Sequence, residues 1–97
     1  MARGSNVKEH LDRKLLNPEF AASYLAAAME EGDEEFLNEA LANVVRIHGA
    51  SEISNEIGVS RQSIYKMLSK SGNPSFKNIW KMLEALGFEL TIKLKHG

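Results

Sequence analysis

Residues 52–69 read Glu-Ile-Ser-Asn-Glu-Ile-Gly-Val-Ser-Arg-Gln-Ser-Ile-Tyr-Lys-Met-Leu-Ser, and their spacing predicts two short helices joined by a tight turn. Ile53 and Ile57 are one helical turn apart and therefore share the inner face of the first helix. Gly58 can adopt the positive φ that a sharp turn between helices requires. Ser60 has the side chain of a good N-cap for the second helix. This arrangement is that of a helix-turn-helix.

The second of these helices is predicted to span Arg61–Ser69 and to present a polar outer face. Ile64 and Leu68 are one turn apart and face the core. At about 100° per residue, the long polar side chains fall on the opposite side. The outer face holds Gln62, Tyr65, Lys66 and Ser69, with Arg61 and Ser63 on its flanks. The simplest interpretation is a solvated helix surface, and the functional one is a helix that enters a DNA groove.

The remaining sequence predicts further helices and one strand. Helices are expected at about Val7–Leu16, Pro18–Glu31, Glu34–His48, Ser51–Ile57 and Phe76–Leu86. Asn17, Asp33 and Ser75 are the predicted N-caps. We therefore expect one all-α domain over residues 1–97, with an N-terminal helical part (1–49) and a helix-turn-helix core (50–87). Trp80 is expected in the core or in a dimer interface.

In the C-terminal residues the spacing of apolar side chains changes from the helical period to a period of two. Phe88, Leu90, Ile92 and Leu94 alternate with polar residues, as in a half-buried strand. No other segment offers this strand a partner, and unpaired strand edges are unfavourable. We therefore predict a two-fold homodimer in which strands over residues 88–95 pair across the two chains.

The net charge of −1 conceals an asymmetry between the two halves of the chain. Residues 1–49 hold five basic and nine acidic side chains, whereas residues 50–97 hold seven basic and four acidic ones. Such an asymmetry suggests two different partners. An acidic cluster lies between the second and third helices, at Glu30, Glu31, Asp33, Glu34 and Glu35. It is either a solvated helix end or a docking surface for a basic protein.

Several classes of function lack support in the sequence. There is no cysteine, and His10, His48 and His96 are isolated, so neither a metal site nor a cofactor is expected. No P-loop, GxGxxG, HExxH or nucleophile elbow occurs, which argues against an enzyme. The N-terminal residues lack the apolar stretch of a signal peptide, and no apolar run is long enough for a bilayer. We expect a cytoplasmic protein that is not inserted in a membrane.

Residues 50–87 resemble the Cro/CI/Xre-type helix-turn-helix family. The segments Gly58-Val59-Ser60-Arg61, Ile64-Tyr65-Lys66 and Gly72-Asn73-Pro74-Ser75-Phe76 extend the resemblance, over about residues 12–95, to the HigA-like addiction module antidote subgroup. The resemblance implies a five- or six-helix, lambda-repressor-like domain that binds a palindromic operator as a repressor. It also implies a small toxin partner of the RelE/ParE type. A stand-alone phage-type regulator and an adaptor that binds no DNA remain the alternatives.

The resemblance also assigns roles to individual residues. The family's base-reading positions correspond to Arg61, Gln62 and Lys66, and these side chains suit guanine, adenine and guanine respectively. Tyr65 suits either a thymine methyl or phosphate group, or the edge of the core. Candidate phosphate contacts are the helix-start serines Ser51, Ser60 and Ser63, and the residues around the following loop, Lys70, Asn73, Ser75 and Lys77. N-capping is the simpler role of the serines, and a solvated loop is the alternative for the others.

Overall fold

A computed structural model describes residues 3–95 and folds them into six α-helices. The helices are α1 (Arg3–Leu15), α2 (Pro18–Glu31), α3 (Glu34–His48), α4 (Ala50–Ile57), α5 (Arg61–Met67) and α6 (Phe76–Ala85). The predicted bounds of α2 and α3 are confirmed, whereas α1 begins four residues before the predicted Val7. None of the described helices has the length and apolar character needed to cross a bilayer.

Side-chain caps explain why α2 and α3 begin where the sequence predicts. The Asn17 side chain accepts hydrogen bonds from the backbone N–H groups of Glu19 and Phe20, and Pro18 occupies the first helical position. Asp33 accepts from the N–H groups of Glu35 and Phe36 in the same way. Each cap satisfies donors that have no partner within the helix, and each contributes about 1 kcal/mol.

One hydrophobic core receives residues from all six helices. It includes Leu15, Leu25, Leu41, Ile53, Ile64 and Met82. α3 packs against α1, α2 and α4, while α4 also packs against α5 and α6. Burying each large aliphatic side chain stabilises the fold by roughly 1.5–3 kcal/mol. The core therefore holds the α4–α5 pair on the rest of the domain.

A polar network joins the first three helices at the edge of this core. The guanidinium of Arg46 donates to both carboxylate oxygens of Asp12, at 2.9 and 3.1 Å, and to the side-chain oxygen of Asn43. Asn43 in turn donates to the hydroxyl oxygen of Tyr24 at 3.1 Å. The hydrogen bond from Arg46 lowers the pKa of Asp12 below its ordinary value and raises the pKa of Arg46.

The structure of the single chain does not support the predicted strand over residues 88–95. Residues 88–95 have no regular secondary structure, and no strand is assigned anywhere within residues 3–95. Phe88 packs against the core and its N–H donates to the carbonyl of Leu83, but Ile92 is 100% exposed and Leu94 is 93% exposed. Leu90 is also exposed. A two-residue period forms a strand only beside a second strand, and the described helices provide none.

Candidate nucleic-acid interface

The α4 and α5 helices form the predicted pair around a tight turn. Gly58 has φ of 73°, and its N–H donates to the carbonyl of Ser54 at 3.0 Å. The N–H of Val59 donates to the same oxygen at 3.3 Å, and the half-buried Val59 side chain packs on the core. Ile53 and Ile64 are fully buried on the facing sides of the two helices. The polar side of α5 is consequently turned outward.

A serine caps the start of α5. The hydroxyl oxygen of Ser60 accepts a hydrogen bond from the N–H of Ser63 at 3.1 Å, and this hydroxyl lies 3.0 Å from that of Ser63. Ser75 caps α6 by accepting from the N–H of Asn78. Ser51 has no such role, because it lies inside α4, whose N-cap position is occupied by Gly49, and no side chain caps that helix. The capping roles of Ser60 and Ser75 are confirmed, and phosphate contacts by these serines stay predictions.

The outer face of α5 carries long polar side chains that have no hydrogen-bond or ion-pair partner among the described residues. Arg61, Gln62 and Lys66 are exposed, and none makes a side-chain hydrogen bond or an ion pair within residues 3–95. Ser63 and Ser69 are exposed beside them. Tyr65 is half-buried and packs against the core, so it lies at the border of this face rather than at its centre.

A loop of basic and polar residues follows α5. The loop side chains at the predicted phosphate-contact positions Lys70, Asn73 and Ser75 are exposed, and so is Lys77 in the first turn of α6. Between Arg61 and Lys81 the chain has five basic residues and no acidic one. This segment therefore offers the concentrated positive charge that a polyanion attracts.

The side chain of Asn38 in α3 forms hydrogen bonds with the backbone of this loop. Asn38 is 5% exposed, and its amide nitrogen donates to the carbonyl oxygens of Ser69 (3.3 Å) and Gly72 (3.2 Å). Sequence reasoning missed this residue. A signal was present, because Asn38 precedes Leu41 and Val45 by three and seven positions and thus shares their inward face. A polar side chain on a buried face requires hydrogen-bond partners.

The end of α5 differs from the prediction because the chain turns early. α5 ends at Met67 rather than Ser69, and the Ser69 hydroxyl donates to the carbonyl of Lys66 at 2.8 Å. The N–H of Gly72 then donates to the carbonyl of Ser69. Gly72 passes so close to α5 that a Cβ atom there would lie 2.1 Å from the carbonyl oxygen of Met67. Only glycine fits at this point without movement of the backbone.

The acidic cluster lies on the surface at the α2–α3 junction. Glu30, Glu31, Asp33, Glu34 and Glu35 are all exposed. The Asp33 carboxylate caps α3, and Glu34 and Glu35 occupy its first turn, where negative charge complements the helix dipole. A local structural role is therefore present for part of the cluster.

Comparison with known proteins identifies relatives that match nearly the whole chain. Residues 6–94 match a family model described as "Probable addiction module antidote protein". A protein of Haemophilus influenzae (strain ATCC 51907 / DSM 11121 / KW20 / Rd), itself named an uncharacterized protein, is 32% identical over 88 residues. The matched region covers 91% of this chain and 87% of that relative. No solved structure matches the chain.

Proposed function

The chain belongs to the family of probable addiction module antidote proteins, and from this premise we propose that it is an antitoxin that represses its own operon through α5. An antidote implies a toxin that it neutralises, and it points to a regulatory protein rather than a catalytic one. The observation that carries the DNA-binding part of the proposal is the outer face of α5, whose long polar side chains are exposed and unpaired among the described residues.

The chemistry of this face suits direct readout of base edges. Arg61 carries a planar fork that matches the O6 and N7 acceptors of guanine, and Gln62 pairs in the same manner with adenine. Lys66 lies about one turn further along and reaches guanine acceptors. We assign to half-buried Tyr65, at the edge of the same face, a contact with a thymine methyl group.

Phosphate contacts would fix the position of α5 on the duplex. Around α5 we assign this role to a set of exposed side chains, Ser51, Ser60, Ser63, Lys70, Asn73, Ser75 and Lys77. Such contacts carry no sequence information but supply much of the affinity and its dependence on salt. The firm attachment of the loop to Asn38 supports this role, because a fixed loop loses little entropy on binding.

One α5 helix of seven residues reads only half of a typical operator. We propose that the protein acts as a homodimer whose two α5 helices enter successive major grooves, about 34 Å apart, on a palindromic site. The two-fold symmetry of the protein would then match the symmetry of the DNA.

The toxin is proposed to bind at the acidic cluster. A RelE/ParE-type toxin that binds RNA would be basic, so the exposed carboxylates of Glu30, Glu31, Glu34 and Glu35 would steer it to this end of α3. The same carboxylates would occupy the surface that the toxin uses for its own polyanionic target.

The test is a fluorescence anisotropy titration of the protein with DNA from upstream of its own gene, at several salt concentrations. A scrambled duplex of equal length serves as the control. We expect binding to the native sequence that is tighter than to the control by about a thousandfold or more and that weakens steeply with salt. Equal affinity for both duplexes would refute sequence-specific repression.

The antitoxin role is tested separately, by co-expression with the product of the adjacent reading frame. We expect the two proteins to purify as a complex. If both are soluble and do not associate while DNA binding is intact, the protein is a stand-alone regulator.

A further inference from the structure

The outer face of α6 carries two large aromatic side chains that the fold leaves uncovered. Phe76 is 64% exposed and Trp80 is 50% exposed. Their rings meet edge to face, with centroids 5.7 Å apart and an interplanar angle of 72°. Trp80 was expected either in the core or in a dimer interface. Because it is exposed, only the second of these alternatives is left. Exposed aromatic pairs of this kind are typical of protein–protein contacts.

The aromatic pair lies in a groove between α6 and the end of α4. The groove has a volume of about 800 Å³, and Ile57 and Ala85 line it together with the two aromatic residues. Its charged side chains are two basic ones, Lys77 and Lys81, and two acidic ones, Glu56 and Glu84. The indole N–H of Trp80 donates to the carboxylate of Glu84 at 3.4 Å, which ties the ring to the charged border.

The charges of this groove indicate what covers it. A contact between two identical chains related by a two-fold axis brings each surface against itself, so it requires an apolar centre and balanced opposite charges. The groove has both. DNA would meet the carboxylates of Glu56 and Glu84, and a basic toxin would meet Lys77 and Lys81, so neither is complementary to it.

The position of the groove also favours a second copy of the chain. α6 begins directly after Ser75, at the end of the loop proposed to contact phosphates, and Ile57 directly precedes the turn before α5. A partner seated here therefore lies beside the DNA-binding helices, where a second α5 is needed to complete the operator contact. We propose that two copies of this chain associate through the Phe76 and Trp80 faces of their α6 helices; the choice of a second copy rests on the proposed function.

The first experiment measures mass in solution by size-exclusion chromatography with light scattering, over a range of protein concentrations. The wild-type chain should be a dimer, and Trp80→Glu should raise the dimer dissociation constant at least about thirtyfold. Ile92→Glu is the matched control, because it places the same charge at a fully exposed apolar position of the tail. This control should stay dimeric. Circular dichroism verifies that both variants are folded.

A second experiment tests the charge pattern with surface changes that spare the core. One variant carries Lys77→Glu and Lys81→Glu, and the other carries Glu56→Lys and Glu84→Lys. Each alone should be monomeric because its face then repels itself, whereas an equimolar mixture should form a one-to-one dimer in native mass spectrometry. A mixture of folded variants that stays monomeric overturns the proposal.

The outcomes separate this inference from the proposed function. A wild-type protein that is monomeric at tens of micromolar, or a Trp80→Glu variant as dimeric as wild type, overturns the α6 interface even if operator binding is observed. A dimer that is lost in Trp80→Glu and retained in Ile92→Glu supports the interface even if the protein binds no specific DNA.

Discussion

The side-chain nitrogen of Asn38 lies 3.2 Å from the carbonyl oxygen of Gly72, and this hydrogen bond spans 34 residues of sequence. It joins α3 to the loop that follows α5, and the same nitrogen also donates to the carbonyl of Ser69. One buried side-chain amide thus fixes the position of this loop relative to α5. The hydrogen bonds of Asn38 therefore also determine where the proposed phosphate-contact residues of that loop lie.

Replacing Asn38 by alanine should destabilise the protein by about 1–3 kcal/mol, because two carbonyl groups lose their donor. Urea unfolding measures the loss, and hydrogen exchange should become faster around residues 69–72. Asn55→Ala is the control, since Asn55 is exposed on α4 and its removal should change stability by less than about 0.5 kcal/mol. Equal stability of the two variants would show that the Asn38 bonds contribute nothing.

Gly72→Ala should displace the loop, because the added methyl group would overlap the backbone of Met67. We expect a cost of about 1–3 kcal/mol and altered amide chemical shifts from Ser69 to Asn73. Gly58→Ala provides the comparison: at φ of 73° it costs about 1–2 kcal/mol, yet nothing lies within 4 Å of the new atom. The loop shifts should therefore stay unchanged in Gly58→Ala.

Two classes of DNA contact should separate under mutation. Arg61→Ala and Gln62→Ala should each cost about 1–3 kcal/mol on the cognate base pair and relax the preference at that position. Lys70→Ala should weaken all sequences about equally and lower the salt dependence. Lys93→Ala, an exposed lysine of the tail, should bind as wild type does. Wild-type binding by Arg61→Ala, Gln62→Ala and Lys70→Ala alike would remove α5 and its loop from the interface.

The ion pair between Asp12 and Arg46 predicts how stability depends on pH. The hydrogen bond from Arg46 lowers the pKa of Asp12 below its ordinary value of 3.8. A carboxyl group whose pKa falls on folding stabilises the native state above its unfolded pKa, and this contribution disappears as the pH falls through the folded pKa. Asp12→Asn should therefore be less stable than wild type at pH 7, and the difference should shrink below about pH 4.

Urea unfolding at several pH values between 7 and about 2 measures this difference. Glu9→Gln is the control, because Glu9 is exposed on the same helix and forms no ion pair in the described structure. A difference between Asp12→Asn and wild type that stays constant with pH would contradict the assignment.

The acidic cluster makes a prediction about the rate of toxin capture. Changing Glu30, Glu31, Glu34 and Glu35 to glutamine removes four charges and keeps the Asp33 cap. Association with a basic toxin should slow by about tenfold or more at low salt and lose most of its salt dependence, while operator binding stays unchanged. Stopped-flow association measures the rate. A rate equal to that of wild type would place the toxin on another surface.

Features with a local cause were predictable from the sequence. The starts of α2 and α3 follow from Asn17 and Asp33, whose side chains accept hydrogen bonds from N–H groups two and three residues further along the chain. The start of α5 follows from Ser60 in the same way. The exposed face of α5 follows from the burial of Ile64 and Leu68 alone.

Features that depend on distant residues were not predictable. The Asn38 contacts and the Asp12–Arg46 ion pair join positions more than 30 residues apart, and no local pattern indicates the partner. The strand predicted for residues 88–95 is absent from the single chain for a related reason. The alternation at Leu90, Ile92 and Leu94 indicates which side chains would lie on the same side of an extended chain. It does not indicate a second strand to pair with, and without one no strand forms.

Trp80 has a practical consequence, since it is the one tryptophan in the chain. An indole that moves from water to an apolar contact emits at shorter wavelength, so the intrinsic fluorescence of the native protein reports whether its α6 face is covered. Dilution of unlabelled protein should accordingly shift the emission to the red at the concentration where the two copies part. Assembly can thus be followed in the cuvette without dyes, tags or any change to the amino acids.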